Sequence, residues 1–214
     1  MVITNIIVQD KNKNRYSIFI DDAFAFGIDG KDLLYYKLKK GQHLSLKTFC
    51  FLKDELEYIR ARDRAVKYLG HSPKSRAEVI ANLTQKGFSL ENIEKVVSML
   101  SGKGYIDDIK FAKIFINHKL KINNFAKKRI ITELLLKGLR KEDILEAFEQ
   151  FEAENMQNMQ SLELEAAQLA LNKKIKHKNL PTDLKEKQRL VNFLLRKGFS
   201  YQTIENVIKQ EENK

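Results

Sequence analysis

Between Lys110 and Arg129 the chain carries seven basic residues (Lys110, Lys113, Lys119, Lys121, Lys127, Lys128, Arg129) and no acidic one. Such a stripe can attract phosphates or carboxylates by charge and donated hydrogen bonds; it carries out no covalent chemistry. A second acid-free stretch, Ala166 to Thr182, holds Lys173, Lys174, Lys176 and Lys178. Phe51 to Asp108 instead sets ten bases against nine acids, so most of the formal net charge of +11 lies elsewhere. Residues suited to catalysis are sparse. His43, His71, His118 and His177 are scattered without ligand spacing, so no metal is expected. Asp107 and Asp108 follow a Gly-Tyr-Ile turn and precede an apolar-periodic stretch, a place for helix capping and first-turn dipole support rather than paired-carboxylate catalysis. There is no phosphate loop, no Gly-x-Ser-x-Gly elbow and no dinucleotide fingerprint. A binding protein without enzymatic activity, cofactor or metal is expected.

The elements that would position these charges change character along the chain. Val2 to Val8, Tyr16 to Ile20 and Phe24 to Ile28 are rich in β-branched and aromatic residues and predict a small antiparallel sheet. Lys11, Asn12, Lys13 and Asn14 read as a polar turn, and Asp21 with Asp22 as a second. Lys31 to Leu46 predicts one short helix and an extended segment. From about Thr48 the apolar period becomes helical, beginning with Leu52, Leu56 and Ile59 and continuing in the stripes Ile93/Val96/Val97/Leu100, Phe111/Ile114/Phe115 and Ile144/Phe148/Phe151. In 214 residues no run approaches the roughly 18 apolar residues of a membrane span. Met1 to Ile20 lacks the order of a signal peptide, and the single Cys50 cannot form an internal disulfide. A cytoplasmic location is expected.

Superposing Lys86-Gly87-Phe88, Lys137-Gly138-Leu139 and Lys197-Gly198-Phe199 exposes an internal repeat. Seven residues after each lysine stands isoleucine (Ile93, Ile144, Ile204). Three before it stands leucine (Leu83, Leu134, Leu194), six before it a branched aliphatic (Ile80, Ile131, Val191), and ten before it a base (Arg76, Lys127, Lys187). Each glycine suits the left-handed residue that ends a helix; the next apolar residue packs back on the last turn, and Ser89 or Ser200 caps the following helix. A further helix precedes each pair, over Lys53 to Leu69, Asp108 to Leu120 and Ser161 to Ile175, with Pro73 and Pro181 in the connections. The expected fold is mainly α: three tandem three-helix repeats in an elongated, curved array (51–107, 108–155, 156–214), preceded by a small antiparallel β segment (1–50).

The pattern resembles the RecX family, whose members carry tandem three-helix repeats with Lys-Gly turns. Gly104-Tyr105-Ile106-Asp107-Asp108, followed by Phe111-Ala112, is similar to the family signature at the junction of the first and second repeats. Ser75-Arg76-Ala77-Glu78, Ile130 with Glu133-Leu134, and Phe193 to Phe199 extend the likeness. Ala126 stands where the family usually has glycine, and His118-Lys119 where it has arginine. The resemblance implies a regulator in homologous recombination, DNA repair and the SOS response. It would bind the RecA nucleoprotein filament, modulate and usually inhibit its ATPase, strand exchange and filament growth, and touch single- or double-stranded DNA weakly. Arg76, Lys127, Lys128, Arg129, Lys187 and Arg196 are the expected partner or DNA contacts. Lys86, Lys137 and Lys197 suit either that role or stabilisation of a helix C-terminus. Gly104, Tyr105, Ile106, Asp107, Asp108 and Phe111 read as structural, with Tyr105 packed between repeats. A monomer is expected, since the repeats can bury their stripes against each other.

Two other functions fit the residues. One is an independent basic DNA- or RNA-binding protein, because helix, short turn and basic helix is also the outline of helix-turn-helix proteins. Against it, Glu91 to Leu100 and Glu142 to Phe151 are acidic or mixed on their polar positions. The other is a helical scaffold for a different acidic protein.

Overall fold

The structure, a computed structural model, describes residues 1–10, 12–156, 158–176 and 180–213. Lys178 and His177 of the second basic stretch and Lys11 of the first turn lie outside them. Two compact units are present: Met1–Tyr68 with Leu83–Ser98, and Leu69–Asn82 with Met99–Lys214.

In the first unit β1 (Ile3–Gln9), β2 (Asn12–Ile20) and β3 (Ala23–Asp29) form an antiparallel sheet in the order β1-β2-β3. Asn12 pairs with Gln9, so Asn12 to Asn14 belong to β2 and not to a turn. They are exposed, and a strand end that buries nothing leaves no alternation to read. The β2–β3 hairpin closes through Asp21 (φ 47°) and Asp22 (φ 64°), the two left-handed residues that suit the twist of a tight hairpin. Ile18, Ile20, Phe26 and Ile28 point to one face, where Leu38, Leu44, Leu52 and Leu56 complete a core. α1 (Gly30–Tyr35) is short, and α2 runs Leu46–Leu69. That start is earlier than Lys53. The Ser45 hydroxyl accepts from the Thr48 N–H at 3.1 Å, capping a first turn whose apolar residues Phe49 and Phe51 show no clean periodicity.

α3 (Arg76–Gln85) and α4 (Leu90–Gly102) complete the first three-helix repeat. In the second unit α5 (Asp108–Lys121), α6 (Lys127–Leu136) and α7 (Lys141–Asn155) form the second repeat. α8 (Met159–Ile175), α9 (Leu184–Arg196) and α10 (Tyr201–Glu212) form the third. α8 starts before Ser161 because Asn158 caps it, accepting from the Ser161 N–H. Ile116, Leu120, Ile130, Leu134, Ile144 and Phe148 share one core with Leu162, Ala167, Leu171, Leu190, Leu194 and Phe199, so the second and third repeats bury their stripes together. No helix among the described residues is long and apolar enough to cross a membrane.

Candidate functional site

All three Lys-Gly pairs form the helix stop that their sequence predicts. Gly87, Gly138 and Gly198 have φ of 78°, 80° and 94°. The N–H of the residue after each glycine reaches the carbonyl five residues back: Phe88 to Leu83, Leu139 to Leu134, Phe199 to Leu194. Ser89 and Ser200 cap the following helices, accepting from Asn92 (3.4 Å) and Thr203 (3.1 Å). In the second repeat that position is Arg140, which caps nothing but holds Asp143 at 2.7 Å.

The second and third turns do more than stop a helix. Gly138 lies against Ala77 at the start of α3, so closely that a methyl on Gly138 would sit 2.4 Å from the Ala77 Cβ. The Lys137 carbonyl accepts from the Ser75 hydroxyl (2.9 Å), and the Lys137 ammonium pairs with Glu78 (2.7 Å). Burial pushes the Glu78 carboxyl upward, but the Lys137 ammonium and the Ser75 N–H outweigh it and hold its pKa below the ordinary carboxylate value. Gly198 repeats the arrangement at the start of α6. There a methyl would meet the Arg129 Cβ at 2.7 Å, the Lys197 carbonyl accepts from the Ala126 N–H (3.0 Å), and the Lys197 ammonium donates to the Asn123 carbonyl.

Acids from the next repeat finish each junction. Asp107 caps α5 as expected, accepting from the Lys110 N–H at 2.9 Å. Asp108 instead reaches back and accepts from the Arg76 N–H at 2.8 Å, capping α3. Burial raises its pKa, the Arg76 N–H opposes the rise, and the nearby Asp143 adds to it. At α6 the N-cap residue is Ala126, which has no side-chain acceptor, and Glu163 of α8 supplies one to the Lys127 N–H. α9 is capped by its own Asp183 through the Glu186 N–H.

Two clefts open over these junctions. One of about 640 Å³ is lined by Arg76, Ala77, Asp108, Gly138, Arg140 and Asp143 among others. The other, of about 800 Å³, brings together Lys128, Arg129, Arg196, Ser200 and Tyr201, the last 71% exposed.

The nine candidate cations therefore fall into two groups. Lys127 lies near Glu152 (3.7 Å) and over the Phe148 ring, and Lys187 pairs with Glu212 (3.1 Å). Arg129 stacks on Phe125 with its guanidinium carbon 3.8 Å from the ring centroid, pairs with Glu133 and donates to the Arg196 carbonyl. Lys137 and Lys197 are held in the turns. Arg76, Lys86, Lys128 and Arg196 are exposed, Arg76 with a 3.3 Å contact to the Ser101 hydroxyl. Much of the basic stripe is also balanced from other helices: Lys113 by Glu154 and Lys119 by Glu133, both at 2.7 Å. Tyr105 corrects the expectation that it packs between repeats. The residue is 66% exposed, because Gly104 (φ 71°) turns the chain so that Ile106, and not its neighbour, enters the core. Phe111 and Ile106 are buried. Sequence reasoning missed Glu163, Asn123 and Tyr201, and it missed Asp108 as a cap for another helix. Ser75-x-x-Glu78 carries the spacing of a capping box, and the box forms, with Glu78 N–H to Ser75 Oγ at 3.1 Å and Ser75 N–H to Glu78 at 3.0 Å.

Residues 1–45 match the family described as regulatory protein RecX N-terminal domain. Residues 61–100 match RecX, first three-helix domain, and 161–208 match RecX, third three-helix domain. The chain is 31% identical to a protein named Regulatory protein RecX from Finegoldia magna, over 97% of this chain and 98% of that protein. It is 29% identical to one of the same name from Clostridium acetobutylicum, over 97% and 95%. A crystal structure of regulatory protein RecX superposes with a TM-score of 0.64 at 26% identity, covering 98% of this chain and 99% of that one. RecX from Lactobacillus salivarius shares the fold, with a TM-score of 0.60 at 20% identity over 74% of this chain.

Proposed function

This chain belongs to the RecX family of regulatory proteins, and from that premise we propose that it is a non-enzymatic modulator that binds the RecA nucleoprotein filament and inhibits its ATPase, strand exchange and filament growth. The observation that carries the reading is the likeness of nearly the whole chain to proteins named as RecX regulators. The charge distribution supports it. Exposed cations at successive repeats (Arg76, Lys86, Lys128, Arg196) can meet acidic protein surface and DNA phosphates at several points. In this division of labour Lys127, Arg129, Lys137, Lys187 and Lys197 hold the repeats, and the four exposed cations make the contact. The protein acts as a cytoplasmic monomer, organised as a β-rich segment (1–50) and repeats over 51–107, 108–155 and 156–214.

Titrating the protein into the single-stranded-DNA-dependent ATPase of its cognate RecA, at fixed salt and controlled free DNA, tests the reading. Inhibition at substoichiometric ratios is the expected result. No effect at excess, with RecA shown to be active, rejects it. The double reversal Lys128→Glu/Arg196→Glu should weaken inhibition at least tenfold with melting unchanged. Unaltered inhibition would remove these residues from the contact.

A further inference from the structure

Three turns share one sequence pattern and one backbone shape, yet two are covered and one is not. Gly138 is pressed on Ala77, and Gly198 on Arg129 and Ala126, whereas nothing among the described residues lies within 4 Å of where a methyl on Gly87 would be. The residue after each glycine agrees. Leu139 and Phe199 are 4% and 3% exposed, and Phe88 is only half-buried. Lys86 is exposed, and no ion pair holds its ammonium among the described residues. The two covered turns display what such a turn accepts. In each, a helix N-terminus donates to the lysine carbonyl, from the Ser75 hydroxyl in one and the Ala126 N–H in the other. In each, the first turn of that helix lies beneath the glycine, at Ala77 in one and at Arg129 with Ala126 in the other. In each, an oxygen takes the lysine ammonium, the Glu78 carboxylate or the Asn123 carbonyl.

We infer that the Lys86-Gly87-Phe88 turn is a protein-docking site for the N-terminus of a partner helix that offers a donor to the Lys86 carbonyl and, in its first turn or the residues just before it, an acid or an open carbonyl to the Lys86 ammonium. A second copy of this chain is a poor occupant. The equivalent helix starts of the first two repeats, α3 and α6, are already occupied by Lys-Gly turns, and that of α9 is capped by its own Asp183. On the filament reading above, on which this inference rests, the partner helix belongs to a RecA protomer. A nucleic acid fits less well, because the turn offers a backbone acceptor and a flat glycine face as well as one cation.

The test uses the full chain and RecA filaments assembled on oligo(dT) with a slowly hydrolysed ATP analogue. Gly87→Asn adds a side chain in open space at a position where asparagine tolerates positive φ, so folding should be retained; Lys86→Glu reverses the charge without touching the backbone. Both are expected to raise the half-inhibitory concentration at least tenfold with melting unchanged, a far larger loss than any in oligo(dT) affinity. A photo-crosslinker at position 86 should then map to the start of a RecA helix. If the wild type inhibits and both variants match it, or the crosslinks map elsewhere, the inference fails and the filament reading stands. If the wild type neither binds nor inhibits RecA, both fall. If both variants lose oligo(dT) affinity in step with inhibition, the turn is a nucleic-acid contact and the inference is overturned.

Discussion

The junction between the first and second repeats and the junction between the second and third use one backbone device with different electrostatics, the first balanced and the second cationic. In both, a Lys-Gly turn presses on the start of a helix in the preceding repeat, and an acid from the following repeat caps that helix. The first junction gathers Glu78, Asp108 and Asp143 against Arg76, Lys137 and Arg140. The second gathers Lys119, Arg129, Lys173 and Lys197 about Asn123, Asn124 and Phe125, with Glu133 bridging Lys119 and Arg129. Steric fit therefore sets how these repeats dock, and charge can drift from one junction to the next without changing the architecture.

Steric claims give the largest expected effects. Gly138→Ala and Gly198→Ala each force a side chain into positive φ and a methyl into contact at 2.4 or 2.7 Å. Together these should cost about 3 kcal/mol in urea unfolding. Gly87→Ala meets no atom and should cost about 1 kcal/mol, the left-handed strain alone. Equal costs at all three glycines would mean that the turns matter only as helix stops and that docking contributes nothing.

The capping acids separate the junctions next. α3 keeps its own Ser75–Glu78 box when Asp108 is removed, whereas α6 begins with Ala126 and depends on Glu163. Glu163→Ala should cost about 1 kcal/mol and Asp108→Ala only a few tenths of that. The reverse order would show that Ala126 is capped by something other than Glu163.

That asymmetry also marks what was legible in the sequence. The strands announce themselves by runs of β-branched and aromatic residues, the helices of the repeats by their apolar period, and the repeat by its lysine-glycine pairs, because those signals are local. Asn12 to Asn14 gave none, since an exposed strand end buries nothing. Asp107 was readable as a cap because it precedes its own helix; Asp108 and Glu163 cap helices 32 and 36 residues away, and no local spacing encodes that. The basic stripe misleads for the same reason. It lacks acids along the chain, but Glu154 and Glu152 on α7 and Glu133 on α6 meet it in space.

The smallest effect is also the one that tests the charge difference itself. Glu78 and Glu133, one in each junction, are held below the ordinary carboxylate value, so both junctions lose stability as pH falls below 4.5 and through the lowered values. Asp108 is shifted upward and works in the opposite sense, which blunts the acid response of the first junction alone. On the alkaline side, burial, then Arg129 and Lys173, holds Lys197 below the usual lysine value of 10.5. Between that lowered value and 10.5 the unfolded chain binds more protons than the folded one, so Lys197 makes stability rise with pH. Lys197→Met abolishes this contribution. It should also lower stability at every pH by removing the bond to Asn123, so slope and not level carries the result. Urea midpoints of wild type and Lys197→Met, measured from pH 7.5 to 10.5, should diverge with the wild type gaining, and the difference cancels the titrating groups that Lys197 does not touch. Parallel curves would mean that the cations around Phe125 do not feel one another, and the electrostatic contrast between the junctions would then reduce to their pairing pattern.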